Sequence, residues 1–304
     1  MTAGAGPPVA IVGSTATGKT ELALRLAEVI GPVEVVSMDS MQVYRGMDIG
    51  TAKATADEQA QVPHHMIDLV DPSDTYDLSS FQAESLRAIA DIEARGVTAL
   101  AVGGTGLYVQ AVIDELRIPG QYPEARAEIE ADHDTEGLHA RLAELDPTAA
   151  SRMEPSNRRR IIRALEVTIG SGQPFSSYGP GVNAYPPNRF RQVGLQVERD
   201  ELDRRIVARY QRQLDAGLLD EIRGLRSAPG AMSHTAAQAL GYKEFLAHLD
   251  GRESLDDALE LAINRTRRFG RRQQRWFRRD PRITWFDATN PESLIANVVA
   301  HLHA

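Results

Sequence analysis

Cysteine is absent from the 304-residue chain. This absence excludes a disulfide framework, a cysteine nucleophile and any zinc site that uses cysteine ligands. No apolar run approaches the roughly 20 residues that a membrane-spanning helix needs. Residues 1–13 lack the positive segment that opens a secretion signal and lead directly into an apolar strand. We therefore expect a globular cytoplasmic enzyme with no membrane partner.

Lysine is rare, with Lys19, Lys53 and Lys243 set against 31 arginines. The net charge is −8, yet residues 158–163 hold four arginines and residues 265–279 hold eight, with no acid in either segment. An acidic protein with two concentrated basic segments is typical of one that binds a polyanion at a defined surface. The retained lysines are candidates for sites that need a compact ammonium instead of a planar guanidinium.

In the first third of the chain, short apolar segments alternate with longer segments whose apolar residues follow helical spacing. This alternation predicts a doubly wound α/β fold with a parallel sheet. From 120 to 187 the helical segments are broken by proline and glycine, which predicts a mostly helical insertion domain within a core of residues 1–119 and 188–304. The predicted strands are 9–13, 33–36, 98–102, 190–197 and 283–286, and the predicted longer helices are 18–30, 79–95, 199–219, 255–279 and 291–301.

The phosphate loop, Gly13–Thr20, has the pattern G-x-x-x-x-G-K-T between the first strand and the first helix. The backbone N–H groups of such a loop bind a diphosphate or triphosphate together with the helix N-terminus. Lys19 would reach a terminal phosphate, and the Thr20 hydroxyl would bind Mg²⁺. The core is therefore expected to resemble P-loop NTPases. The predicted phosphate-binding residues are Gly13, Ser14, Thr15, Ala16, Thr17, Gly18, Lys19 and Thr20.

Asp39 follows the second predicted strand and is the other candidate for chemistry. Phosphoryl-transferring enzymes usually hold Mg²⁺ with an acid at the end of a second strand. Here the strand 98–102 ends in Gly103-Gly104 instead. Ligands of open α/β sheets bind at the carboxyl ends of the strands. Asp39 is therefore a candidate general base or magnesium partner, and a cap of a helix or turn is the alternative.

Seven motifs extend this pattern over nearly the whole chain. They are Gly13–Thr20, Asp39-Ser-Met-Gln-Val-Tyr-Arg-Gly-Met-Asp-Ile-Gly-Thr-Ala-Lys53, Pro63-His-His-Met-Ile-Asp68, Gly103-Gly-Thr-Gly-Leu-Tyr108, Arg163-Ala-Leu-Glu-Val167, Gly241-Tyr-Lys-Glu244 and Arg272-Gln-Gln-Arg-Trp-Phe-Arg278. In content and order they closely resemble the bacterial tRNA dimethylallyltransferases (tRNA isopentenyltransferases). In that family the phosphate loop binds dimethylallyl diphosphate instead of ATP, and the prenyl group moves to N6 of adenosine 37, beside the tRNA anticodon.

The resemblance implies roles for individual residues. Thr15–Thr20 would hold the diphosphate, and Asp39 would take the proton from N6. Thr105 and Arg126 would make further contacts around the substrate. Arg159 stands where many relatives have Gln, and Gln238 stands where some have Arg. The residues implied in tRNA binding are Asp39, Ser40, Met41, Gln42, Thr105, Arg126, Arg159, Arg160, Ile161, Ile162, Arg163, Gln238, Gly241, Tyr242, Lys243, Arg271, Arg272, Gln273, Arg275, Trp276 and Arg278.

Prenyl transfer to an exocyclic amine has chemical needs that these residues can meet. The amine lone pair is delocalised into the ring, so a base must take the N6 proton as the new bond forms. The leaving diphosphate needs stabilisation, for which Arg205 on the helix 199–219 is an additional candidate. A base in an RNA loop must also be flipped out, and unpaired loops make this cheapest.

The segment 265–279 fits such an RNA-binding role. Helical spacing places one set of arginines on a single face and a set of mainly apolar residues on the packing face. Trp276 is expected in the core, Tyr108 is a candidate for the prenyl pocket, and a structural role is expected for His64-His65. The arginine face comprises Arg265, Arg268, Arg272, Arg275 and Arg279, and the packing face comprises Leu255, Leu259, Ala262, Phe269 and Trp276.

Three other functions remain as alternatives: a prenyltransferase that acts on free adenine nucleotides, a nucleotide-dependent kinase, and a non-catalytic RNA-binding protein. The first has no use for two arginine segments and a long insertion. The last does not need the intact Lys19, Thr20 and Asp39. We expect the chain to act as a monomer.

Overall fold

In the computed structural model, which describes residues 6–304, six strands form one sheet. All strand pairs are parallel, and the order across the sheet is β3-β2-β4-β1-β5-β6. Residues 1–5 lie outside the described residues, so the start of the predicted core and of the segment assessed as a secretion signal is not covered. The strands are β1 (Val9–Gly13), β2 (Val33–Ser37), β3 (His64–His65), β4 (Thr98–Gly103), β5 (Arg191–Gln196) and β6 (Thr284–Asp287).

The inner strands β1 and β2 are buried from end to end, as expected of strands covered on both faces. All five residues of β1 and all five of β2 are buried. The register pairs Val12 of β1 with Gly103 of β4, and Ser37 of β2 with Val102 of β4. The carboxyl ends of β2, β4 and β1 therefore lie side by side at one edge of the sheet.

Fourteen helices are present in the described part of the chain, which with the parallel sheet confirms the predicted α/β fold. They are α1 (Lys19–Val29), α2 (Ala56–Gln61), α3 (Leu78–Ala94), α4 (Gly106–Ile113), α5 (Pro123–Ala131), α6 (Thr135–Leu145), α7 (Pro147–Ala150), α8 (Arg158–Ser171), α9 (Arg199–Asp215), α10 (Leu218–Ser227), α11 (His234–Ala237), α12 (Tyr242–Leu249), α13 (Leu255–Phe277) and α14 (Pro291–His303). A short 3₁₀ helix spans Phe175–Tyr178. No described helix is long and apolar enough to cross a membrane.

Two local features differ from the sequence prediction. The predicted helix 199–219 is divided between α9 and α10, because the chain turns at Gly217. The φ of Gly217 is 95°, a left-handed conformation that glycine adopts without strain. The two-residue strand β3 was not predicted, since His64-His65 has no periodicity of its own. It forms because its backbone pairs with Val35 and Val36 of β2.

The chain divides into two compact units, Met1–Asp114 with Pro187–Ala304 and Glu115–Pro186. The core unit contains the sheet and its apolar residues. The insertion unit has its own small core, centred on Leu142, Ile161 and Leu165 from α6 and α8. This unit begins at Glu115, five residues before the start of 120 expected from the sequence. It ends at Pro186, one residue before the expected end of 187.

The buried carboxylate of Glu34 connects β2, β3 and the end of α3 at one side of the sheet. Glu34 on β2 accepts hydrogen bonds from Arg95, which follows α3, and from His65 on β3, where Nε2 lies 2.6 Å from Oε2. The hydrogen bonds from Arg95, followed by those from His65, hold the pKa of Glu34 below its usual value despite burial. Glu34 therefore stabilises the fold while it is ionised.

We predict that Glu34→Gln lowers the melting temperature by several degrees at pH 7. A lowered folded-state pKa adds stability above the unfolded pKa of about 4.3, and this stability is lost as the pH falls through the folded pKa. The difference between variant and wild type should therefore shrink below pH 4. Thermal melts from pH 3 to 8, with the exposed Glu144→Gln as control, measure this. A difference independent of pH would contradict the ionic role.

Candidate functional site

The phosphate loop connects β1 to α1 at the carboxyl edge of the sheet. Lys19 Nζ donates to the carbonyl oxygens of Gly13 at 3.1 Å and of Ser14 at 2.8 Å. Burial lowers the pKa of Lys19 to about 8; nearby Asp39 opposes this shift and Arg209 adds to it. The loop therefore holds a partly buried amine at the N-terminus of α1, where a bound anion would favour its charged form.

The core unit contains a cavity of about 630 Å³ at this edge. The phosphate loop forms one wall, and the ends of β2 and β4 form the next. The segments after β2, before α12 and along α9 and α13 complete it. Among the lining residues are Thr15, Lys19, Thr20, Asp39, Ser40, Met41, Gln42, Thr51, His64, Gly104, Thr105, Arg209, Gln238, Tyr242, Arg272 and Gln273.

Asp39 lies in this cavity, directly after β2. Its Oδ1 accepts the backbone N–H of Met41 at 2.8 Å, so it does form the turn cap that the sequence left as an alternative. Among the described residues no hydrogen-bond partner occupies Oδ2, so this oxygen is available to a substrate in the cavity. The cap fixes the orientation of the carboxylate and leaves its chemistry intact.

Gly103-Gly104 stands where a phosphoryl-transferring enzyme often has an acid. A Cβ at Gly103 would lie 2.4 Å from the carbonyl oxygen of Met38, so the ends of β4 and β2 approach too closely for any side chain. The absence of an acid here follows from this packing. Thr105, the next residue but one, lines the cavity as the resemblance implies.

Two charged side chains fix the conformation of the segment 39–53: Lys53 at its end and Glu221 from α10. Lys53 is buried and donates to the carboxylates of Asp48 and Asp68, each at 2.5 Å. Glu221 on α10 accepts the backbone N–H of Ile49 at 2.7 Å, and also those of its two chain neighbours. It further accepts the hydroxyl of Tyr242 at 2.5 Å. Sequence reasoning gave Glu221 no role, because most of its partners are backbone groups that leave no side-chain pattern.

Two arginines of α9, Arg209 and Arg212, line the cavity, and Arg205 does not. The guanidinium of Arg209 donates to Thr15 Oγ1 at 2.8 Å and to the carbonyl of Gly50 at 3.2 Å, and burial lowers the pKa of Arg209. Arg205 lies one turn earlier, pairs with Glu201 at 2.6 Å and donates to a backbone carbonyl at Ala288. The proposal for a diphosphate contact therefore moves from Arg205 to Arg209. In the sequence, the signal that could have identified Arg209 was its position four residues, about one helical turn, after Arg205.

The helix α13 combines a buried stripe with an exposed basic face. The stripe differs from the predicted packing face, since small and polar residues form most of it: Ala258, Ala262, Thr266, Gly270, Gln273 and Phe277. Arg265, placed on the arginine face, forms an ion pair with the buried Glu244 instead of facing solvent fully. Within residues 6–304 no acid pairs with the exposed Arg268, Arg272, Arg275 and Arg278.

Other residues of the predicted RNA surface of the core unit are divided between surface and interior. Gln238 and Lys243 are exposed and hydrogen bonded to each other at 2.7 Å. Gly241, Tyr242 and Gln273 are buried, although the last two line the cavity.

Two aromatic residues pack within the core unit. Trp276 is partly buried: it packs against Gly106 and the edge of the core, and the guanidinium of Arg279 lies 4.7 Å from the centroid of the indole ring. Tyr108 packs edge-on against Phe81, with ring centroids 4.8 Å apart.

In the insertion unit, Arg159 and Arg160 are exposed at the start of α8. Ile161 and Ile162 are buried in the core of this unit, and a contact of these residues with tRNA stays a prediction. Glu166 pairs with both Arg163 at 2.6 Å and Arg126 at 3.3 Å. These two arginines are therefore partly neutralised within their own unit.

No cluster of three or more His, Asp or Glu that could bind a metal occurs among the described residues. The Thr20 hydroxyl lines the cavity and makes no hydrogen bond within residues 6–304. A divalent cation at this site would therefore bind Thr20 and oxygens of a bound ligand, which fits the hard-oxygen preference of Mg²⁺. His64 also lines the cavity, and burial lowers its pKa, which favours its neutral form.

Two family models match the chain: that of IPP transferases over residues 42–280 and that of isopentenyl transferases over residues 8–68. A tRNA dimethylallyltransferase of Kineococcus radiotolerans is 46% identical, over 96% of this chain and 95% of the relative. One from Bifidobacterium longum is 45% identical, over 97% and 92%.

Solved structures agree with these matches. A tRNA isopentenylpyrophosphate transferase of Bacillus halodurans superposes with a TM-score of 0.71 at 39% identity, over 97% of this chain and 96% of that one. A eukaryotic dimethylallyltransferase acting on tRNA gives a TM-score of 0.79 at 28% identity, over 98% and 77%. With a family model that matches most of its length and relatives of nearly equal extent, the chain belongs to the IPP transferase family of tRNA dimethylallyltransferases.

Proposed function

We propose that this chain transfers the dimethylallyl group of dimethylallyl diphosphate to N6 of adenosine 37 in the anticodon loop of tRNA. The observation that carries the proposal is that the phosphate loop and Asp39 line one cavity. A leaving diphosphate and a proton acceptor can therefore serve the same substrate pair. The cytoplasmic location and the monomeric state stay predictions.

The diphosphate is held by groups that stabilise negative charge. The backbone N–H groups from Ala16 to Thr20, at the N-terminus of α1, would bind its negative charge. Lys19 and Arg209 add two positive charges in a partly buried site, where electrostatic attraction is stronger than in water. The Thr20 hydroxyl would hold Mg²⁺, which would supply further positive charge for the leaving group.

The chemical step exchanges one bond to carbon for another. The N6 lone pair forms a bond to C1 of the dimethylallyl group as the C1–O bond to the diphosphate breaks. Asp39 Oδ2 takes the N6 proton, so the product amine is neutral and the released diphosphate leaves with the electron pair. The cap from Met41 to Oδ1 holds the carboxylate in a fixed orientation for this transfer.

Recognition of tRNA rests on the exposed arginines of α13, with Gln238 and Lys243 before and within α12. Guanidinium groups pair with phosphate oxygens in a bidentate way. Arg159 and Arg160 of the insertion unit supply a second exposed basic group. Asp39 to Gln42 and Thr105 line the cavity that would receive the flipped adenosine.

Transfer of label from dimethylallyl diphosphate to an anticodon-loop adenosine of unmodified tRNA, with Mg²⁺ present, tests the proposed activity. We predict that Asp39→Asn lowers kcat by about 100- to 10,000-fold, because general-base catalysis contributes this much. The asparagine can still accept the Met41 N–H, so tRNA affinity should persist. An unchanged kcat would remove Asp39 as the base, and transfer to free AMP or phosphoryl transfer from ATP would favour the alternatives.

We predict that Arg209→Met raises the KM for dimethylallyl diphosphate by roughly tenfold or more, since it removes a partly buried cation from the diphosphate site. Arg205→Met is the matched control on the same helix and should leave this KM nearly unchanged. Steady-state kinetics at saturating tRNA measure both. Equal effects of the two substitutions would contradict the assignment of Arg209.

We predict that Arg275→Gln weakens tRNA binding and reduces the slope of log Kd against log salt by roughly 0.7–0.9, the value for one lost phosphate contact. Arg87→Gln changes an exposed arginine on α3 and should alter neither quantity. Filter binding at several salt concentrations measures the slopes. A salt slope unchanged in Arg275→Gln would show that this arginine faces solvent in the complex.

A further inference from the structure

Gln273 on α13 bridges two loops of the cavity. The backbone N–H of Thr15, in the phosphate loop, donates to its Oε1 at 2.9 Å. Its Nε2 donates to the carbonyl oxygen of Gly104, after β4, at 2.8 Å. The side chain is buried, and both ends of its amide are therefore satisfied within the fold. One residue of the basic helix thus connects the ends of β1 and β4.

The surroundings leave Gln273 little freedom. A Cβ at Gly104 would lie 2.5 Å from Gln273 Nε2 and 3.0 Å from the carbonyl oxygen of Gly13. A side chain at 104 would therefore displace the amide. The neighbours of Gln273 behave differently, since Arg272 and Arg275 are exposed. The motif 272–278 consequently combines residues for an RNA surface with one residue for the phosphate loop.

The bridge also changes the role of Thr15. Its N–H is used by Gln273, and its hydroxyl accepts from Arg209. Thr15 is thus fixed from α13 and α9, and its N–H is not directed at a ligand. The N–H groups from Ala16 to Thr20 are the part of the loop left to bind an anion.

We propose that Gln273 is a positioning residue of the diphosphate site and not a contact to RNA. This proposal rests on the proposed function, since it assigns a role within the same cavity. The role needs an acceptor for the Thr15 N–H and a donor for the Gly104 carbonyl at the end of one side chain. Glutamine offers both, glutamate lacks the donor, and methionine of similar size lacks both.

Calorimetric titration with inorganic pyrophosphate and Mg²⁺ tests the proposal on the full chain. We expect Gln273→Met to weaken pyrophosphate binding by at least about tenfold, because the partly buried N–H of Thr15 and the buried carbonyl of Gly104 lose their partner. Gln273→Glu should weaken it further, since its charge repels the anion. Gln274→Met makes the same chemical change one residue on, outside this bridge, and should bind as the wild type does.

Transfer kinetics and tRNA binding separate positioning from RNA contact. In Gln273→Met the KM for dimethylallyl diphosphate should rise while the Kd for tRNA stays unchanged. Weakened tRNA binding with intact pyrophosphate binding would overturn the proposal, as would wild-type behaviour in both assays.

A second variant and the wild type make the outcome decisive. If Gln273→Met does not fold, Gly104→Ala replaces it, since the added methyl group displaces the same amide. This variant must raise the KM for dimethylallyl diphosphate and leave the Kd for tRNA unchanged. Failure of the wild type to bind pyrophosphate would instead contradict the proposed function itself. A wild type that binds, with a Gln273→Met that binds equally well, would reject only the role of Gln273.

Discussion

The site depends on the parallel alignment of three adjacent strands, β2, β4 and β1, whose carboxyl ends meet at one edge. This alignment brings the phosphate loop, Asp39 and Gly103-Gly104 together although they are far apart in the chain. The close approach of β2 to β4 leaves no space for a side chain at Gly103. The geometry that creates the cavity thus also removes the acid expected of a phosphoryl-transferring enzyme, while a diphosphate leaving group needs none there.

The elements that sequence reasoning located well are those with strong local signals. The strand β1 was predicted with its exact bounds, and β2, β4 and α13 within one or two residues, because apolar runs and helical periodicity report directly on local conformation. The strand β3 escaped prediction because pairing with β2 alone makes it a strand. Tertiary contacts of this kind have no local sequence signal.

Side chains within the basic motifs were harder to assign, because the fold uses several of them internally. Arg265 neutralises the buried Glu244, Arg163 and Arg126 share Glu166, and Gln273 satisfies backbone groups of two loops. Buried polar groups must find partners, and long polar side chains reach them from helices that also face solvent. Arg209 illustrates the same limit, since only the rotation of α9 distinguishes it from Arg205.

The near-absence of lysine has a consequence for regulation. The ammonium groups of Lys19 and Lys53 form hydrogen bonds within the protein. The exposed positive charge of α13 consists of guanidinium groups alone. Guanidinium stays protonated throughout the alkaline range in which an ammonium is lost, and it is not a target of lysine acetylation. The basic face of this helix therefore keeps its charge through cellular changes in acidity or acetyl-group supply, and ionic strength remains the variable that can modulate it.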